Sequence, residues 1–293
     1  MKNLIKIELK KAIVSKYFLI GMLLLLLFSL LSAVYMLNNR ADYNPESILT
    51  EYYYEDGAFK TNPDLPIFSA YNSWVGAEIM SLAHSLFFHL LPVGAAIPFA
   101  WTFYSERKSG YIKNVAIRTK KINYYIAKTI AVFTSGCIAV FIPYIVNILI
   151  IFAFVPSITP FAGYTFYNYI YFGNMWADIY FTNPVLYIAL YVLLNTIYGG
   201  IFALLSFMVT FYINNIFAVL FLPFITFVVL NFTHDIIDPN YLHRYAAYNP
   251  TSFLHSLYSE GDKMWQPVVI VTLILLFVSI LTIFIRGYKD EVF

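Results

Sequence analysis

Charge and cysteine are what this sequence is short of. Only 12% of its 293 residues are Asp, Glu, Lys or Arg, and Cys137 is the single cysteine. One thiol excludes an internal disulfide framework and any zinc or iron–sulfur centre held by several thiolates of this chain. Soluble domains carry about a quarter charged residues, so half that share excludes an ordinary water-soluble globule. No Gly-Lys dipeptide occurs, hence no phosphate-binding P-loop, and neither Gly-x-Gly-x-x-Gly nor His-Glu-x-x-His is present. The chain therefore brings no cofactor-binding motif and no metal site of its own, and nothing in it calls for nucleic acid.

Apolar residues make up 60% of the chain, and the mean hydropathy is +0.70. A membrane-spanning helix needs roughly 20 apolar residues. Runs of that kind cover about 17–37, 78–104, 123–155, 184–211, 215–232 and 267–285. The pattern predicts an all-α polytopic protein of the lipid bilayer, a single transmembrane domain over 1–293 with six spans. The third run exceeds one crossing, so it must tilt, kink at Pro143 or project beyond the bilayer.

Residues 1–16 carry Lys2, Lys6, Lys10, Lys11 and Lys16 against the lone Glu8. They are expected to form a basic helix lying on the membrane surface, or else a helical extension of the first span. A secretory signal fits poorly, because its apolar core is about 7–15 residues and ends in small residues. Here the run is longer and ends Tyr35-Met36-Leu37. Segments 38–77, 156–183 and 233–266 are rich in turn signals, acids or aromatics and are expected outside the bilayer, the last as short re-entrant helices before the final span.

Six spans put both termini and residues 105–122 on one side. That side collects fourteen Lys and Arg against four acids, a net of +10, while the other collects four against twelve, a net of −8. The positive-inside bias is expected to place both termini in the cytoplasm, and the expected location is a bacterial cell membrane.

The segment between spans two and three combines an acid, Glu106, seven basic residues (Arg107, Lys108, Lys113, Arg118, Lys120, Lys121 and Lys128), a turn-permitting Gly110 and a short amphipathic stretch ending in Tyr124-x-x-x-Lys128. Together with the basic N-terminal helix and the six spans, this resembles the permease subunits of type-two ABC exporters. The resemblance covers the chain in layout and about 25 residues in motif. A proline frequent in that family before the basic turn is replaced here by Thr119-Lys120. It implies that 105–122 contains a coupling helix pushed by a separate cytoplasmic ATPase, with ATP and Mg bound there rather than in this chain. It also implies a second permease subunit, identical or different. Glu106 is expected to bond Lys128 or an N-terminal lysine.

In span two, a helical repeat of 100° per residue gathers Glu78, Ser81, Ser85, His89 and Pro92 on one face. That face either lines a translocation path or packs against span three. His84 lies off it, and i, i+5 spacing separates His84 from His89 too far for a shared metal. Asn195, Gly199 and Ala203 form an i, i+4 row suited to close helix approach or dimerisation. Scarce buried charge and 20% aromatic residues suit export of an amphipathic or hydrophobic substrate. The competing expectations are a proton-coupled carrier or intramembrane enzyme using Glu78, His84 and His89, and a peptide-sensing or immunity membrane protein.

Overall fold

A computed structural model describes residues 1–42, 52–55, 58–61, 69–160, 170, 173–236, 248–256 and 265–289, a few of them by backbone alone. The described chain is helical apart from one short antiparallel hairpin. Helices α1 (Lys2–Ile13) and α2 (Lys16–Asp42) are followed by strands β1 (Tyr52–Glu55) and β2 (Ala58–Thr61) and the single turn α3 (Ala70–Ser73). Next come α4 (Leu82–Ala96), α5 (Thr102–Lys108), α6 (Tyr111–Arg118) and α7 (Lys121–Phe154). The rest are α8 (Ala177–Thr182), α9 (Pro184–Val209), α10 (Ile216–Ile236), α11 (Pro250–Phe253) and α12 (Gln266–Lys289).

Four stretches, Lys16–Asn39, Lys121–Phe154, Pro184–Val209 and Gln266–Tyr288, are long and apolar enough to cross a membrane, which makes this a multi-pass membrane protein. They coincide closely with four of the expected runs because long uncharged helices need no tertiary help to be recognised. The run 78–104 is different. Its helix starts only at Leu82, where Ser81 accepts a hydrogen bond from His84 N, and it ends at Ala96. Five residues of turn then intervene before α5. At 1.5 Å per residue, α4 reaches only about 22 Å, short of the roughly 30 Å hydrocarbon core. The run 215–232 corresponds to α10, of which Ile216–Val229 forms a further short apolar helix.

Residues 38–77 are not simply a loop. Helix α2 extends to Asp42, and β1 pairs with β2 from Tyr52↔Thr61 to Glu55↔Ala58. Tyr-rich segments favour strands, and the Asp-Gly dipeptide separating these two in sequence favours two-residue hairpins. Of the expected outer segments, 43–51, 56–57, 62–68, 161–169, 171–172, 237–247 and 257–264 lie outside the described residues, and so does most of the stretch expected to hold re-entrant helices; α11 and the end of α10 are the helical parts described there.

Helix α9 sits at the centre, packed against α7, α4, α10, α12 and α8, and α7 in turn packs against α2, α1, α4 and α12. The α7–α9 crossing is close because both helices present glycine. A Cβ on Gly136 would lie 2.5 Å from the Gly199 carbonyl oxygen and 2.8 Å from Ala203 Cβ, while one on Gly199 would meet Val140 at 2.6 Å. Asn195 is fully buried and donates to the carbonyls of Tyr191 and Leu254, both at 3.0 Å. The row Asn195, Gly199, Ala203 is thus consumed by packing within the chain, which leaves none of it for a second copy. Asn147 on α7 makes a comparable tie, donating to the Ser29 carbonyl at 2.7 Å and accepting from Val75 N at 2.8 Å.

Helix α7 runs 34 residues, Pro143 included, without ending. That is about 51 Å, so it projects well past a bilayer core, and its first turns supply the site described next. Gly136→Ala is expected to force α7 from α9 and destabilise by about 1–3 kcal/mol, whereas Gly173→Ala, at a position with open space, should leave thermal stability in detergent unchanged. Equal midpoints for both variants would contradict the packing.

Candidate functional site

Three separate stretches of sequence meet at one end of the bundle. Helix α1 is divided from α2 at Val14-Ser15, so it is a separate helix rather than an extension of the first span. Its exposed face carries Lys2, Lys6 and Lys10. The opposite face turns Glu8, Lys11 and Ala12 inward, with Leu4 and Leu9 against a core that includes Phe99, Phe103, Ile112 and Tyr124. Helix α5 contributes Glu106, and the first turns of α7 contribute Tyr124 and Lys128, which share a face at i, i+4.

Two acids and two lysines alternate there. Lys128 Nζ lies 2.9 Å from Glu106 Oε2 and 3.4 Å from Glu8 Oε2, while Lys11 Nζ lies 3.0 Å from Glu8 Oε1 and 3.7 Å from Glu106 Oε1. Each lysine therefore touches both carboxylates. Tyr124 donates to Glu106 at 2.6 Å, Lys11 donates to Tyr111 OH at 2.6 Å, and Lys128 Nζ stands 3.9 Å from the Phe99 ring centre. Glu8 and Lys128 are 0% exposed, Glu106 14% and Lys11 36%. Taking a charge out of water costs several kcal/mol unless paired and hydrogen-bonded charges surround it. Here the quartet is neutral as a whole, and every charge faces two of opposite sign. Partial burial works against charge on Lys11, but the Tyr111 bond and the two carboxylates outweigh it, and its pKa rises above 10.5.

The expected Glu106–Lys128 pair is present, and so is a bond from Glu106 to an N-terminal lysine, Lys11. Sequence reasoning missed Glu8 and Tyr111; the available signal was a lone acid among five lysines, spaced i, i+3 from Lys11. The remaining basic residues lie around the quartet rather than in it. Gly110 adopts φ +72°, a left-handed conformation that costs glycine little, and it reverses the chain between α5 and α6. Helix α6 then buries Ile112 and Val115 while Lys113, Ile117 and Arg118 are exposed, Ile117 to 85%. Lys108 and Lys120 are exposed, Arg107 is half-buried, and Lys121 donates to the Tyr288 carbonyl at 3.0 Å.

At the far end of α4 a second polar cluster appears. Glu78 precedes the helix instead of standing on its face. Its Oε1 accepts from Ser32 at 2.7 Å and from the Ser81 hydroxyl, and its Oε2 accepts from the amides of Met80 and Ser81 at 2.9 and 3.0 Å. With four donors on a fully buried carboxylate, Glu78 and Ser81 serve as the start of α4, and no continuous stripe joins them to Ser85 and His89. Ser85 is half-buried, and exposed His89 bonds back to the Ser85 carbonyl at 2.7 Å. His84, off the expected face, is the buried one: its Nδ1 meets the Val75 carbonyl at 2.7 Å and its Nε2 meets His255 Nδ1 at 3.1 Å. Sequence spacing gave no hint of this pair, which are 171 residues apart. Among the described residues no group of three or more His, Cys, Asp or Glu is placed to hold a metal ion.

Deleting one buried member of the quartet strands its partners. Glu8→Ala and Lys128→Met should each cost about 3–5 kcal/mol, against about 1 kcal/mol or less for the more exposed Lys11→Met. Denaturation in detergent at fixed pH would rank them; equal losses for all three would contradict the burial order. Because the Lys11 pKa is raised, its contribution is complete below 10.5 and is lost only as pH climbs through the raised value. The stability gap between wild type and Lys11→Met should therefore be flat from pH 6 to 9.

Comparison with protein-family models, with curated proteins and with solved structures gives no match to this chain.

Proposed function

We propose that this chain is the membrane-spanning permease subunit of an ATP-driven exporter, with six spans, both termini in the cytoplasm of a bacterial cell membrane, and the α5–α6 elbow as its docking element. In this reading α4 and α10 are the second and fifth spans, the shorter apolar helices within the six runs. The partners are cytoplasmic ABC ATPase subunits, which bind ATP and Mg, and a second permease subunit. The cargo is an amphipathic or hydrophobic molecule moved outward. The chain itself performs no hydrolysis.

The observation that carries the reading is the bracing of α6. Its outward face offers Lys113, Ile117 and Arg118 to a partner, while Tyr111 and Glu106 lock the elbow to Lys11 and Lys128. A push on α6 therefore reaches α1 and the long helix α7 through buried charge contacts and not through a slack loop. Charges of that kind are strongly position-dependent, so displacement of the elbow is opposed until the helices move with it. An ordinary positively charged membrane loop has no need of such a brace.

The test is co-purification after mild solubilisation of native membranes. Wild-type chain is expected to carry a P-loop ATPase whose activity it stimulates. Ile117→Asp with Arg118→Glu should release that ATPase while leaving the chain folded. Modification of Lys113 in intact cells by an amine reagent that cannot cross the membrane, or absence of any ATPase from the wild-type preparation, would overturn the assignment.

A further inference from the structure

A cleft opens beside the histidine pair, away from the charge quartet. Phe88, His89 and Pro92 of α4, Phe202 of α9, Phe227 and Val228 of α10, and Leu254 and His255 beside α11 line it, around a cavity of about 40 Å³ that opens on one side. The walls are apolar, so each polar atom facing the space is costly unless something meets it.

Two histidines belong to that lining, and hydrogen-bond geometry fixes which of their nitrogens donate and which accept. A carbonyl oxygen only accepts, so His84 Nδ1 carries the hydrogen that goes to Val75, which leaves His84 Nε2 as an acceptor. The 3.1 Å contact then requires His255 Nδ1 to be the donor. In neutral imidazole one nitrogen donates and the other accepts, so His255 Nε2 bears a lone pair. Burial, with His84 and His89 nearby, lowers the His255 pKa to about 3, which keeps the ring neutral. The ring is clamped by Phe88, 3.8 Å away and nearly parallel. His89 follows the same logic: Nδ1 donates to the Ser85 carbonyl at 2.7 Å and Nε2 is left as an acceptor at the cleft's edge. Among the described residues no group donates to either Nε2.

We propose that this cleft is a binding site for a small apolar molecule carrying a hydroxyl hydrogen, which donates to His255 Nε2 while its hydrocarbon body fills the space between Phe88, Phe202 and Phe227. The two lone pairs exclude the complementary classes. A carboxylate brings no hydrogen for either lone pair at neutral pH, a phosphate brings a charge that apolar walls disfavour, and a plain hydrocarbon leaves both nitrogens unmet. His89, at the rim, offers a second and more exposed acceptor. Binding here needs only the fold and is independent of coupling to an ATPase.

The probe pair is 2,6-diisopropylphenol and its methyl ether, which differ in the donor hydrogen and little in shape. Titrated against the full chain in detergent, with thermal stabilisation as the readout, the phenol is expected to bind roughly five- to tenfold more tightly than the ether. His255→Leu should erase that preference, and His89→Leu should reduce it about twofold with the fold intact. Equal affinity for phenol and ether on the wild-type chain overturns the proposal by itself, even if His255→Leu fails to fold. So does a preference that survives in a folded His255→Leu variant.

Discussion

Burial of Glu8 and Lys128 beside each other is the constraint on which one whole end of this protein depends. Neither charge is tolerable alone in an apolar interior: Glu8 is met by Lys11 of its own helix and by Lys128 of α7, and Lys128 by acids of α1 and α5. Glu8 comes from α1, Lys128 from α7, and Glu106 from α5, with Lys11 closing the ring. Helices α1, α5 and α7 must therefore adopt their observed positions together. An apolar contact would be tolerant of sliding, whereas a ring of alternating charges loses partners as soon as one element shifts.

The opposite end is built on a different principle. Polar side chains there satisfy irregular backbone: Glu78 gathers the amides ahead of α4, Ser256 donates to the Gly76 carbonyl at 2.6 Å, and Tyr187 donates to the Ser256 carbonyl at 2.8 Å. In an apolar surrounding every unpaired backbone group is expensive, so the segments 74–81 and 250–256 are held by tyrosine, serine and asparagine. Aromatic bulk fills the same region: Tyr144, Tyr180, Tyr187, Tyr191 and Tyr198 are all fully buried on or beside α9, with Tyr198 also paired to the Thr272 hydroxyl at 3.1 Å. The protein thus has a charge-braced end and a hydrogen-bonded end, joined by α7 and α9, whose glycines let them approach within van der Waals contact.

The division matters for how force or ligand binding at one place is felt elsewhere. The histidine cleft lies between α4, α9 and α10 and shares α4 and α9 with the helices packed on α7. Helix α4 is short and ends in turns that lead directly into α5 and Glu106. One continuous stretch of backbone thus runs from the α4 wall of the cleft to Glu106.

The sequence by itself determined the class of the protein and the position of its long helices, because twenty uncharged residues in a row can be satisfied only as a buried or lipid-facing helix. It also pointed to Lys128 or an N-terminal lysine as the partner of Glu106, and the structure shows Lys128 and Lys11 both beside it. Tertiary structure decided what periodicity does not encode. In the run at 78–104 the helix starts only at Leu82, where Ser81 caps it, and five turn residues part it from α5. Gly199 and Ala203 face α7 of their own chain, and Asn195 bonds the Leu254 carbonyl. Glu8 meets Lys128 from 120 positions away, and His255 meets His84 from 171. Spacing along one helix fixes which residues share a face, but which face meets which neighbour depends on packing, and buried polar groups are paired only once that packing is complete.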